Sequence, residues 1–487
     1  MRIGVIWLVG LASSALLSAS CGDGEEAPLS GLAATPILTP TPIASATLTP
    51  PVLATAQSTP TPTASATLTP PALATAQSTP APTPTTVRQA TPAPVPTSHP
   101  RTTTPPPTAT PSHRAAAPTI PDCPADRTVP LFDIASLQMS DLLGIVPLGN
   151  LAPPGHTFPT QHLYFFVRRA GADPLDFGSP PATVPVFSPG HVWLTSVATS
   201  EHLSASPPFI DYSLSFKPCN QFMAYFFHVQ TLSDDLLDRI GPLQEGRCET
   251  YSTGGETYRR CDKRVSVEIR AGEIIGTTGR EGQNALDFGA YDGRATPLAY
   301  ANPSRHRSSP DGLDQLHVVC VIDYFKPDVR DELVERLGET SGTGSRTIGP
   351  VCGEVEQDEP GTAQGKWYRK ATVDQFPEDP HLALVHDNVD PSTAAFSVGT
   401  SVPGLRPGVY HFSPRESGSV NLDFRLVTPD GMVYCYDSLS LRGSPIGSLV
   451  ILVELTGETA LRIERQEATE CGTGPWILQS GYADFER

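Results

Sequence analysis

The chain has 487 residues, with 51 acidic against 33 basic side chains, a net charge of −18 and nine cysteines. Four basic and three acidic residues precede residue 121, so the remainder holds 29 basic against 48 acidic. That balance excludes a nucleic acid partner, whose phosphates require a basic face.

Residues 1–20 read as a signal peptide: Arg2, an apolar run from Ile3 to Leu17, then Ser18, Ala19 and Ser20 before Cys21. The run, about 15 residues, falls short of the roughly 20 that span a membrane. Leu17-Ser18-Ala19-Ser20-Cys21 resembles the cleavage box of bacterial lipoproteins. The resemblance implies lipidation at Cys21 and an extracellular protein anchored to the cell membrane. The alternative is cleavage and release as a secreted protein.

Residues 21–120 form a tether. Ala27 to Ile120 holds 22 prolines in 94 residues and only Arg88, Arg101 and Arg114 as charges. Such a segment buries too little apolar surface to offset its ordering entropy and is expected to be disordered. Thr41 to Pro60 recurs almost unchanged as Thr61 to Pro80, differing only at 43/63 and 52/72. Without aromatics, the repeat is a duplicated spacer, able to hold a domain away from a membrane.

The 367 residues from 121 onward are enough for two domains, expected at 121–368 and 369–487. In the first, Leu131 to Ile145 shows a weak helical pattern and reads as an entry helix or loop. Turns every ten residues or so mark the rest as β-rich. Short helices are predicted at Ser233 to Ile240, with Ser233 as N-cap and Gly241 as stop, and at Pro327 to Leu337. Val265, Val267 and Ile269 alternate as a strand, and with Ile274-Ile275-Gly276 across the Ala271-Gly272 turn predict a hairpin. A last strand, Ala285 to Gly289, places Ala285, Asp287 and Gly289 on one face.

Several of these segments together resemble the lysostaphin-type zinc endopeptidases, which cut peptide cross-links of bacterial cell walls. The carrying residues are Pro185 to Val192, Tyr225-Phe226-Phe227-His228-Val229, the glycine-punctuated run Gly272 to Gly282, and Ala285-Leu286-Asp287-Phe288. The likeness spans roughly residues 150–292. It implies a peptidase-like β domain in which His228 keeps a catalytic position. The family's His-Leu-His-Phe strand is changed here to Ala285 and Asp287, and its His-x-x-x-Asp pair is absent. The segment Pro154-Gly155-His156 to His162 stands in that pair's place. His156, His162 and Asp287 are the candidate zinc ligands, since imidazoles and carboxylates are donors zinc accepts. The alternative is a set of hydrogen-bonded side chains lining a degenerate cleft.

From His381 onward, strands are predicted at 382–385, 408–412, 421–427, 432–436, 449–455 and 461–464, with a turn at Pro429-Asp430-Gly431. They predict a small antiparallel sandwich or barrel, so the folded part is all-β. Gly361 to Trp367 lacks the spacing and the Ser or Thr of a phosphate loop, and His386 to Asp390 lacks the EF-hand pattern. With Cys21 set aside, an even set of eight cysteines in an exported chain reads as disulfides. Cys248–Cys261, Cys320–Cys352 and Cys435–Cys471 are the expected pairs.

Three functions remain open from sequence. The first is a catalytically degenerate surface protein that binds a cell-wall peptide or glycan, or an envelope protein. The second is a zinc endopeptidase on peptidoglycan, and the third an adhesin acting through the C-terminal β domain.

Overall fold

The computed structural model describes residues 119–487 apart from 172, 174, 177, 244–245, 281–282, 307–314, 343 and 373–374. The expected signal peptide, Cys21 and the tether lie outside the described residues. No helix among the described residues is long and apolar enough to cross a membrane.

The fold is all-β. Its first part contains β1 (Leu142–Val146), β2 (His162–Val167), β3 (Val184–Phe187), β4 (Val192–His202), β5 (Phe209–Cys219), β6 (Phe222–Val229), β7 (Thr231–Leu232), β8 (Arg247–Thr253), β9 (Glu256–Ile269), β10 (Ile274–Thr278) and β11 (Ala285–Asp292). Eight of these make one antiparallel sheet in the order β1-β2-β11-β6-β5-β4-β9-β8, while β3, β10 and β7 make a second. One face of the large sheet carries Leu163, Phe165, Phe226, Leu286 and Phe288, all buried in a single core. Phe288 is ringed by Phe132, Phe165, Phe216, Phe226 and Phe325 at centroid separations of 4.5–6.2 Å.

Both predicted helices form. α1 (Asp234–Ile240) is capped by the Ser233 hydroxyl, which accepts from Leu236 N, and ends at Gly241 with φ 68°. α2 (Pro327–Val334) stops three residues before the expected end. The segment read as an entry helix or loop is irregular up to Gln138, and a short 3₁₀ turn at Met139–Asp141 then leads into β1, which takes its last residues. Its Leu and Ile side chains serve both faces of an edge strand rather than one helical stripe. The hairpin expected across Ala271-Gly272 is not one either. β9 pairs with β4 and β8, while β10 pairs with β3 and β7, so the turn carries the chain from one sheet to the other.

The second part contains β12 (Gly365–Arg369), β13 (Leu382–His386), β14 (Ala394–Val398), β15 (Gly408–Phe412), β16 (Val433–Tyr436), β17 (Ser440–Leu441), β18 (Ser444–Pro445), β19 (Val450–Gly457), β20 (Ala460–Gln466) and β21 (Ala483–Glu486). They join in the order β16-β19-β20-β21-β12-β13-β14-β15-β17-β18 around a separate core that includes Trp367, Phe396, Phe424 and Tyr436. The strand expected at 421–427 is a 3₁₀ turn at Phe424–Leu426, because the Asp423 carboxylate accepts from Arg425 N and closes the turn. His386 to Asp390 is a polar loop in which Asp387 accepts from Val389 N and Asp390 N. Trp367 is buried, its indole N–H donating to Ala363 O.

All three expected disulfides are present, and Cys123–Cys219 is the fourth. Cys248 and Cys261 lie directly opposite each other in the β8–β9 hairpin, whose tip is Gly254-Gly255 with φ 61° and 83°. Paired glycines of positive φ are what a tight hairpin turn requires.

Candidate functional site

The polar face of the large sheet is where the candidate residues meet. β2, β11 and β6 are adjacent, with Asp287 opposite Tyr164 on one side and Phe227 on the other, and Gly289 opposite His162 and Tyr225. Period-two alternation therefore puts His162, Tyr164, Tyr225, Phe227 and Asp287 on one face. Gly289 is required there: a Cβ would come 2.2 Å from Tyr225 Cζ, since the tyrosine ring lies across the glycine.

His228 reaches the same place by a different device. The β5–β6 ladder pairs Leu214 with Phe226 and Tyr212 with Val229, so two residues of β6 oppose one of β5. In this bulge His228 has φ 63°, a conformation rare for a residue with a Cβ. Thr278 Oγ1 donates to the His228 carbonyl and helps to hold it. The bulge turns the imidazole toward the polar face, with its side chain 37% exposed while Asp287 beneath is buried. His156 sits in the turn Ala152–His156, closed by reciprocal backbone hydrogen bonds, its ring centroid 5.8 Å from that of His162.

Five groups form an alternating chain of imidazoles and carboxylates. His162 Nε2 is 3.2 Å and His228 Nε2 3.4 Å from Asp287 Oδ2. On its other side His228 Nδ1 is 2.7 Å from Asp211 Oδ2, and His202 Nε2 is 3.4 Å from the same oxygen. Gln283 Nε2 donates to Asp211 Oδ2 at 2.7 Å, and His202 stacks on Phe209 at 4.0 Å. Asp287 Oδ1 is buried and accepts no hydrogen bond from the described residues.

The electrostatics follow from this order. Burial opposes charge on His228, but the carboxylates of Asp287 and Asp211 outweigh it and raise its pKa to about 9. Burial likewise disfavours ionised Asp287 and Asp211, yet the neighbouring imidazoles hold both below their ordinary range. His156 is pushed down to about 4, by burial first and by His162 second. Burial drives the Tyr164 phenol well above its usual range.

Two imidazoles and a carboxylate are a donor set that suits zinc. Among the described residues, however, no group of three or more His, Cys, Asp or Glu side chains is placed to hold a metal ion. Both Nε2 atoms lie against Asp287 Oδ2 itself.

The structure thus brings His162, His228 and Asp287 into direct contact and sets His156 beside them. Sequence reasoning missed Asp211, His202 and Gln283. Asp211 had a visible signal, a carboxylate on the Asp211, Ser213, Ser215 face of an alternating strand, but nothing in the sequence paired it with His228. In three comparisons with known proteins, no family model matches the chain, and neither a curated protein nor a solved structure does.

Proposed function

We propose that the chain is an exported surface protein, lipid-anchored at Cys21, whose first part is a catalytically degenerate lysostaphin-type domain that binds a cell-wall peptide or glycan without cutting it. The observation that carries this reading is Asp287 Oδ1, a buried carboxylate oxygen with no donor among the described residues, beneath the partly exposed imidazole of His228. Buried polar atoms are nearly always paired, so an orphan acceptor under an open side chain is a place for a ligand N–H or O–H. Peptide amides and sugar hydroxyls supply such donors. Two further features support binding over catalysis. His228 is held charged between two carboxylates, which removes the free imidazole a general base needs. The position of the family's other catalytic histidine is Ala285.

The test is sedimentation of the purified chain with insoluble peptidoglycan. The expected result is that the chain pellets without releasing soluble peptides, and that Asp287→Ala, checked for an intact fold by circular dichroism, pellets about tenfold less, the factor that about 1.4 kcal/mol represents. Equal binding by the variant, or binding that follows residues 369–487, would transfer the function to the C-terminal sheet. Release of peptides would restore the hydrolase.

A further inference from the structure

We propose that Glu378 and Asp379, consecutive residues of the C-terminal part, are positioning residues for the cleft of the first part, so that the second sheet is built into the ligand site. The claim that they serve ligand binding rests on the cleft being the binding surface. The clamp itself does not.

The two carboxylates grip the two segments that border His156. Glu378 is buried, and its Oε2 accepts from Phe158 N at 2.9 Å. Phe158 lies between His156 and His162 in the chain. Phe158 is buried in the same contact, stacked on His381 with centroids 5.2 Å apart and tilted on Tyr368 at 5.0 Å. Together with Ala383 and Val385 of β13, these side chains form a small core shared by the two parts. Asp379 takes the other segment. Its Oδ2 accepts from Thr253 Oγ1 at 2.7 Å and its Oδ1 from Gly254 N at 2.9 Å, at the tip of the β8–β9 hairpin. That tip lies against the histidine turn, for a Cβ at Gly254 would be 3.7 Å from Gly155 Cα.

The consequence is geometric. A loop closed at its base by Gly149 N to Thr160 O and Thr160 N to Asn150 O gains a further anchor from a residue 220 positions away. A hairpin strapped near its base by Cys248–Cys261 gains an anchor at its tip. Ordering both segments before a ligand arrives lowers the entropy cost of binding.

The experiment uses the full chain with ¹³C-labelled histidine and ¹⁵N-labelled glycine, observed by NMR and then sedimented with insoluble peptidoglycan. Glu378→Ala is expected to shift the His156 and His162 ring signals, and Glu378→Gln, which keeps an acceptor oxygen, to restore them. Asp379→Ala is expected to shift the Gly254 and Gly255 amide signals. Thr253→Val, which removes one donor without touching the second sheet, reports on the same anchor if Asp379→Ala does not fold. Both alanine variants should bind peptidoglycan about tenfold more weakly. Wild-type histidine and glycine signals in the folded variants overturn the proposal. Shifted signals with a wild-type chain that does not sediment leave the clamp standing and sink the wall-binding reading instead.

Discussion

His228 concentrates the chemistry of the site, and its charge is the most accessible prediction. An imidazole ordinarily titrates near 6.5, and here two carboxylates raise that to about 9. In a ¹³C-histidine titration its signal should move around pH 9 and that of His156 around pH 4, and Asp211→Asn should bring the His228 midpoint down. Because the folded value lies above the unfolded one, the stabilisation from this imidazolium is complete below about 6.5 and is lost as pH rises through about 9. The stability advantage of the wild type over His228→Gln in urea unfolding should therefore shrink across that window. An advantage constant from pH 6 to 10 would show that the imidazole is not paired in this way. At this scale the likeness to the lysostaphin-type enzymes supplied His156, His162, His228 and Asp287 as candidates, with strand alternation pointing to Asp287 as well. Nothing in the sequence paired Asp211 or His202 with His228, because which strands lie side by side is a property of the sheet and not of spacing.

Elements show the same division between what is local and what is not. Caps, tight turns and the Cys248–Cys261 hairpin were legible, since each is decided within a few residues: Ser233 caps α1 and Gly254-Gly255 turn the hairpin. The Ala271-Gly272 turn was read as a hairpin because alternating runs flank it, but its two strands belong to different sheets. Strand β14 was not anticipated, its Ala394 to Val398 being nearly all apolar and buried, so that it lacks alternation. Two substitutions test the elements. Gly289→Ala sets a methyl into the Tyr225 ring and should cost about 1–3 kcal/mol in urea unfolding, the usual range for overpacking. A full-stability Gly289→Ala would mean the ring does not lie there. Cys123–Cys219 joins residues 96 apart and ties the first described segment to β5. Replacing both by serine should cost about 4.7 kcal/mol on the chain-entropy relation. A loss below about 1 kcal/mol would show that the segment is held by other contacts, such as Arg127 to Asp292 and Tyr324.

For the whole molecule, the arrangement is a long proline-rich segment followed by two β cores that share a joint at Phe158, Tyr368, Ala383 and Val385. The proline-rich composition of residues 27–120 and the acidic surplus of the remainder are read directly from the chain. The joint was not readable, because Glu378 and Phe158 are joined only by folding. If Cys21 carries a lipid, Cys21→Ser should move the protein from the membrane fraction to the medium in an immunoblot of cell fractions. Retention in the membrane would count against the anchor. Most directly, the His162 and His228 ring signals can be followed as soluble wall fragments are added to the labelled chain. Both signals are expected to shift together and to saturate with the binding isotherm. Fragments that bind while both rings stay unmoved would place the binding surface elsewhere.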